Sequence, residues 1–370
     1  MAPGSRRFVA ERARSIDSSG IRRVFDLGAK LKDPVDLSIG QPYHDVPEPV
    51  RASAIRAIMA GRNRYTPTQG DPELVDALTR RVARRTSTDG RKLVVTSGVS
   101  GGLFLAFAAL VDPGDEVLMG DPYFVIYQQA VKFFGGVPVL VDTYPDFRLT
   151  ADRLEPHITK RSKIVVAGSP ANPTGIVLSE LELRDIAEVA GRHGLLVFSD
   201  EIYSVFSYDG PAPSMLGLAD DLLFFSGFSK SHAAPGWRIG YVFGPATIIE
   251  EMAKLQQYTF VCAPSPAQAA ILENLDLDTR EITDLYRRKR DMICEGLRDT
   301  YEFTRPGGAF YLFPKVPRGT GTEFVEEAIR NNLLIIPGAV FSSRDTHVRI
   351  SYAAKDETIE RGIEILNRIA

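Results

Sequence analysis

The chain has 370 residues, 44% hydrophobic and 25% charged, which is enough for two domains or one large domain with an appendage. Its net charge of −3 leaves no electrostatic case for binding nucleic acid or a membrane surface. No apolar run is long enough to cross a bilayer and no signal-peptide core follows Met1, so a cytoplasmic location is expected.

Residues 6–32 read as one or two helices broken at Ser18-Ser19-Gly20. Arg6, Arg7, Arg12, Arg14, Arg22 and Arg23 alternate there with Glu11, Asp17 and Asp26, which suits a solvated helical face better than a nucleic-acid arm. Residues 35–39 form a short strand candidate closed by Gly40-Gln41-Pro42. An amphipathic helix is expected over 49–59, with Gly61 behind it. The loop 64–70 and a second helix over 72–85 follow.

From Lys92 onward apolar runs alternate with helical segments such as 102–110 and 180–193. The runs are KLVVTSG, DEVLMGDP, VPVLVD, KIVVAGSP, LLVFSD, LLFFSGFSK and RIGYVFG. Runs without polar alternation are strands covered on both faces, and their alternation with helices predicts a mostly parallel, doubly wound sheet. The expected fold class is therefore α/β. After Gly244 the chain turns mainly helical to about residue 300. Short strands AFYLF, LLIIPG and HVRISYA and a C-terminal helix over 357–370 follow. This predicts a large domain over 41–270 and a smaller α+β domain built from 1–40 and 271–370. Cys262 and Cys294 lack metal or redox spacing and are expected as buried thiols in a reducing compartment.

Ligands of a doubly wound sheet bind beyond the C-terminal strand ends, so the residues after each run carry the information. Thr96 to Gly102 put small residues at a helix start, where free N–H groups cradle a phosphate or merely make a tight turn. Tyr123 and Phe124 bring aromatics to the rim, for stacking or for core. Asn172 sits between two prolines, its amide aimed by a rigid turn. Asp200 ends a buried strand, as the partner of a cation or as a helix cap, with Tyr203 behind it. Lys230 and Arg238 follow the next run. Taken alone they suit an exposed lysine and a capping arginine as well as a Schiff-base amine and a phosphate fork. Together, a cradle, an aromatic, an amide, an acid and an amine call for a ligand with a phosphate, a ring, a cationic nitrogen and a carbonyl. Pyridoxal 5'-phosphate has all four.

The segments SPANPTG (169–175), SDEIY (199–203), SGFSK (226–230), GWRIGY (236–241), GGAFYLF (307–313) and VRISYA (348–353) resemble, in order and separation, those of fold-type I pyridoxal-phosphate enzymes. Within these they are similar to class I aminotransferases of the aspartate aminotransferase group, from about Val35 to the C-terminus. The resemblance implies that Lys230 carries the cofactor covalently and then moves a proton between substrate Cα and cofactor, with Asp200 on the pyridine nitrogen. Tyr203 and Asn172 would bond the ring's phenolic oxygen, and Phe124 would stack on the ring. Arg238, the amides of Val99, Ser100 and Gly101, and Tyr65 of a second subunit would hold the phosphate, which requires a homodimer with shared sites. Arg349 would pair with the substrate α-carboxylate, supported by Asn172 and Gly40. Substrates would be amino acids and 2-oxo acids, with glutamate and 2-oxoglutarate as one pair. A β-lyase acting on cysteine conjugates or cystathionine, and a non-catalytic cofactor-binding regulator, are the alternatives. Ser100 stands where aspartate-specific relatives carry a lysine that grips the distal carboxylate. Tyr43 and His44, in the segment after Gly40, either shape the substrate end or belong to a loop.

Overall fold

The apolar runs do become strands, and their ladder places every polar strand end on one side of the molecule. The computed structural model describes residues 8–17, 20, 24, 28 and 31–370. Part of the expected N-terminal helix, including the break at Ser18-Ser19, lies outside the described residues; helix Glu11–Arg14 is exposed throughout. A two-residue strand, β1 (Val35–Asp36), precedes seven longer ones: β2 (Arg91–Ser97), β3 (Glu116–Asp121), β4 (Val137–Asp142), β5 (Ser162–Gly168), β6 (Leu196–Asp200), β7 (Leu222–Gly227) and β8 (Ile239–Pro245). These seven form one sheet in the order β2-β8-β7-β6-β5-β3-β4. β8 runs antiparallel to both of its neighbours, and all other pairs are parallel.

Why the runs lack alternation is visible in the core. Val94, Phe198, Phe225 and Val242 face one layer, against Leu103 and Phe107 of helix Gly98–Leu110. Their chain neighbours Val95, Val197, Phe224 and Phe243 face the other, under Leu74 and Leu78 of helix Pro72–Val82 and Ile186 of helix Glu180–His193. Successive side chains of a strand point to opposite faces, so a sheet buried on both sides needs apolar residues at every position. Helix Glu180–His193 begins in a capping box of Ser179 and Glu182 and ends at Gly194 in the left-handed conformation.

The C-terminal part adds β9 (Tyr311–Leu312), β10 (Leu333–Leu334), β11 (Ile336–Pro337) and β12 (Val348–Ser351). β1 pairs in parallel with β10, so the chain's early residues join its late ones, and β11-β12-β9 make a small sheet. Helices Arg280–Leu297 and Asp356–Ile369 close this part, with Tyr301 donating its hydroxyl proton to Leu366 O at 2.7 Å. The strands expected over 35–39 and AFYLF are shorter than their apolar runs, at Val35–Asp36 and Tyr311–Leu312. Cys294 is buried as expected, whereas Cys262 is partly exposed in the loop after helix Ala246–Gln257. No described helix is long and apolar enough to cross a membrane.

Candidate active site

β7 ends at Gly227, and three residues later Lys230 enters a cavity of about 320 Å³ at the C-terminal edge of the sheet. Its Nζ donates to Gly40 O at 2.5 Å and lies 5.4 Å from the Tyr203 ring centre. Burial, then Arg349, then Arg238 push this amine down to about 7, with Asp200 pulling the other way. A lysine at this value is a nucleophile and proton carrier at neutral pH.

The neighbouring strand end supplies the acid. Asp200 closes β6 and is 4% exposed; Tyr127 donates to its Oδ2 at 2.8 Å and the Ile202 amide to its Oδ1 at 3.2 Å. Burial raises this carboxyl, while Tyr127, the Ile202 amide and Lys230 lower it. A buried carboxylate of this kind wants a cation in front of it.

At one end of the cavity β2 turns directly into helix Gly98–Leu110, four residues earlier than expected. Gly98 makes this possible with φ of +68°, and it leaves room for Arg238: a Cβ there would lie 2.6 Å from Arg238 Nη2. The first-turn amides of the helix have no intrahelical acceptor. Arg238 is itself left-handed, with φ of +56°, and donates through Nη1 to Pro235 O at 2.8 Å. Val99 and Ser100 line the cavity; Gly101 sits behind them, against Ser97 and Phe260.

At the other end Arg349 of β12 is 1% exposed between the rings of Tyr311 and Phe341, each 4.6 Å from Cζ. Nη1 donates to Asn172 Oδ1 at 3.1 Å and Nη2 to Ser38 O at 2.8 Å; Nε is buried without an acceptor among the described residues. A buried donor left over in this way marks a place for an anion. The Tyr203 and Tyr311 hydroxyls are 2.7 Å apart.

Lys230, Asp200, Tyr203, Asn172, Phe124, Val99, Ser100, Arg238, Arg349 and Gly40 thus line one cavity, drawn from positions up to 309 residues apart in sequence. Tyr65 does not line it and is 82% exposed. Tyr43 and His44 do not line it either: they pack around Tyr286, which takes the Tyr43 amide proton at 3.3 Å. The sequence reading missed Tyr127 and Tyr311. Tyr127 lies one helical turn beyond Phe124, where it reads as core, and Tyr311 lies within GGAFYLF.

The residues present fit pyridoxal phosphate. A glycine-shaped cradle with free amides and a guanidinium suits its phosphate, a buried acid suits its ring nitrogen, and a depressed amine suits its aldehyde.

Comparison with known proteins agrees. The family model of aminotransferase class I and II matches residues 32–366. A probable aspartate aminotransferase of Methanocaldococcus jannaschii is 34% identical, across 98% of this chain and 99% of the relative. A probable aspartate/prephenate aminotransferase of Thermus aquaticus is 37% identical, across 92% and 93%. The solved aspartate aminotransferase of Thermus thermophilus with maleate superposes with a TM-score of 0.93 at 34% identity, covering 98% and 99%.

Proposed function

The chain belongs to the class I and II aminotransferases, and on that premise we propose that Lys230, Asp200, Tyr203 and Arg349 carry a two-stage amino transfer between an amino acid and a 2-oxo acid, with glutamate and 2-oxoglutarate as one pair. The enzyme depends on pyridoxal 5'-phosphate, which supplies an electron sink for the charge left on Cα when its proton departs. Arg238 and the amides of Val99, Ser100 and Gly101 would hold the phosphate. Asp200 would hold the ring nitrogen, Phe124 would cover the ring, and Tyr203 with Asn172 would bond its phenolic oxygen.

Arg349 orients the substrate by its α-carboxylate, using the Nε left over after Asn172 and Ser38 are served. Fixing that carboxylate fixes which Cα bond stands perpendicular to the ring. Lys230 Nζ, free as an amine, would take the Cα proton and return it on the far side of the transfer. Its value of about 7 leaves it able to do both near neutral pH. The observation that carries this reading is one amine held in a cavity between two guanidinium groups, one for each anionic end of the reacting pair.

Ser100 offers a hydroxyl where a lysine would grip a distal carboxylate, which supports side-chain preferences other than aspartate. A homodimer with shared sites is proposed with it. The loop bearing exposed Tyr65 is tied to helix Ala246–Gln257 by Gln256 Nε2, which donates to Thr68 O at 2.6 Å. Met59 (83%) and Tyr258 (86%) add exposed apolar surface for a second copy to cover. The division into 41–270 and 1–40 with 271–370 is retained, but residue 270 falls inside helix Ser265–Glu273, so the break moves to the loop after it. A cytoplasmic location is part of the proposal, with Cys262 and Cys294 both free.

The deciding experiment is a panel of single half-reactions, following the cofactor's visible absorbance as each amino acid is added. Glutamate is expected to convert the spectrum and 2-oxoglutarate to restore it. No change with any amino acid would sink the proposal, and pyruvate release without an acceptor would point instead to β-elimination.

A further inference from the structure

Tyr127 carries the most informative contact that the proposed mechanism does not use. Its hydroxyl donates to Asp200 Oδ2 at 2.8 Å, and its ring is 7% exposed. Burial and the nearby Asp200 charge raise its own value well above the ordinary one, so it stays a donor throughout the working pH range. The phenol reaches Asp200 because helix Val125–Phe133 starts directly after Phe124, and Phe124 and Tyr127 meet edge to face, centroids 5.8 Å apart. It also needs an empty place on β5. Gly168 is the residue paired with Asp200 across the ladder, and a Cβ on it would stand 3.1 Å from the Tyr127 hydroxyl oxygen.

We propose that Tyr127 is a positioning residue that keeps Asp200 ionised and aimed into the cavity, and that Gly168 is the gap that admits its hydroxyl. The physical reason is a conflict. Burial favours the neutral acid at Asp200, yet the acid serves a ring nitrogen only as an anion. The Ile202 amide occupies the other oxygen, so among the described residues the Tyr127 donor is the one side-chain hydrogen bond that holds the charge. One helical turn therefore sets both the ring that would cover the cofactor and the donor that tunes the acid beneath it. This rests on the proposed placement of Asp200 at the ring nitrogen.

The test compares dissociation constants of the cofactor-free enzyme for pyridoxal phosphate and for its 1-deaza analogue, whose ring carries C–H in place of nitrogen. An ionised Asp200 facing C–H is left unpaired, so the unaltered enzyme is expected to prefer the natural cofactor strongly. In Tyr127→Phe the acid neutralises more easily and the preference narrows by about tenfold, the scale of one hydrogen bond to a charged group. Gly168→Ala, which pushes the hydroxyl aside without removing it, narrows the preference in the same direction by less. It also decides the matter should Tyr127→Phe fail to fold. An unchanged preference in both variants, or equal losses for both ligands, overturns the inference. Asp200→Asn is the control: if it leaves the preference intact, the placement of Asp200 at the nitrogen has failed, not the role of Tyr127.

Discussion

The two ends of the cavity hold the same chemical group by opposite means. Arg238 is half-buried and set by backbone: a left-handed residue, a carbonyl acceptor at Pro235, and a glycine opposite that makes way for it. Arg349 is wholly buried and set mainly by side chains: two flanking rings and an amide oxygen, with one backbone carbonyl at Ser38 and one orphaned Nε. The first arrangement suits an anion that stays in place, because its geometry is built into the main chain. The second suits an anion that comes and goes, because a buried guanidinium with an open donor gains most when its ligand arrives.

Lys230 stands between these ends, and removing it should have the largest effect. Lys230→Ala is expected to lower amino transfer by on the order of 10⁴-fold or more, as amine, proton carrier and attachment point go together. Steady-state turnover with the best donor from the panel measures this, and a loss below about tenfold would contradict the assignment.

Next comes the substrate end. Arg349→Ala should cost about 3 kcal/mol, roughly 150-fold in kcat/KM, while leaving cofactor affinity nearly unchanged at alkaline pH, where the Lys230 amine is neutral in both proteins. Arg349→Lys keeps the charge but not the fork and should fall in between. At the phosphate end Gly98→Ala forces a Cβ towards Arg238 at a left-handed position. Pyridoxal phosphate should bind about tenfold more weakly there, with phosphate-free pyridoxal much less affected. Equal losses for the two ligands would erase the contrast between the ends.

The finest comparison is electrostatic. With its value near 7, the Lys230 amine is charged below that pH and neutral above it, so cofactor uptake, which needs the neutral amine, should rise through neutrality. Both arginines lower this value, Arg349 more than Arg238, so Arg349→Gln should move the midpoint of uptake upward by more than Arg238→Gln. Asp200 raises it, so Asp200→Asn should move the midpoint down. Absorbance-monitored uptake across pH gives all three midpoints.

Much of this was legible beforehand because each sheet strand is a continuous apolar run whose polar successor marks the functional edge. Asp200, Asn172 and Lys230 were singled out in that way, and Arg238 as the residue at the start of the last run; all four line the cavity. Arg349 and Gly40 came through resemblance, since a short strand and a turn announce no chemistry of their own. Tyr127 went unnoticed because, at one helical turn past Phe124, it reads as core. Only its hydroxyl distinguishes it, and the partner of that hydroxyl is 73 residues away. Tyr43 and His44 were weighed as pocket residues, yet they pack on Tyr286 of helix Arg280–Leu297.

What the amino-acid order determined by itself is local and periodic: the doubly covered strands, the capped helix Glu180–His193, and the small residues that free a helix start for an anion. These depend on neighbours within a few positions. Tertiary structure alone decided which distant groups share an electrostatic environment. Lys230 is an ordinary lysine until burial and two arginines, one of them 119 residues further along the chain, draw its value down to about 7. Charge interactions act through space and strengthen where water is excluded, so the chemistry of Lys230 is a property of the fold around it.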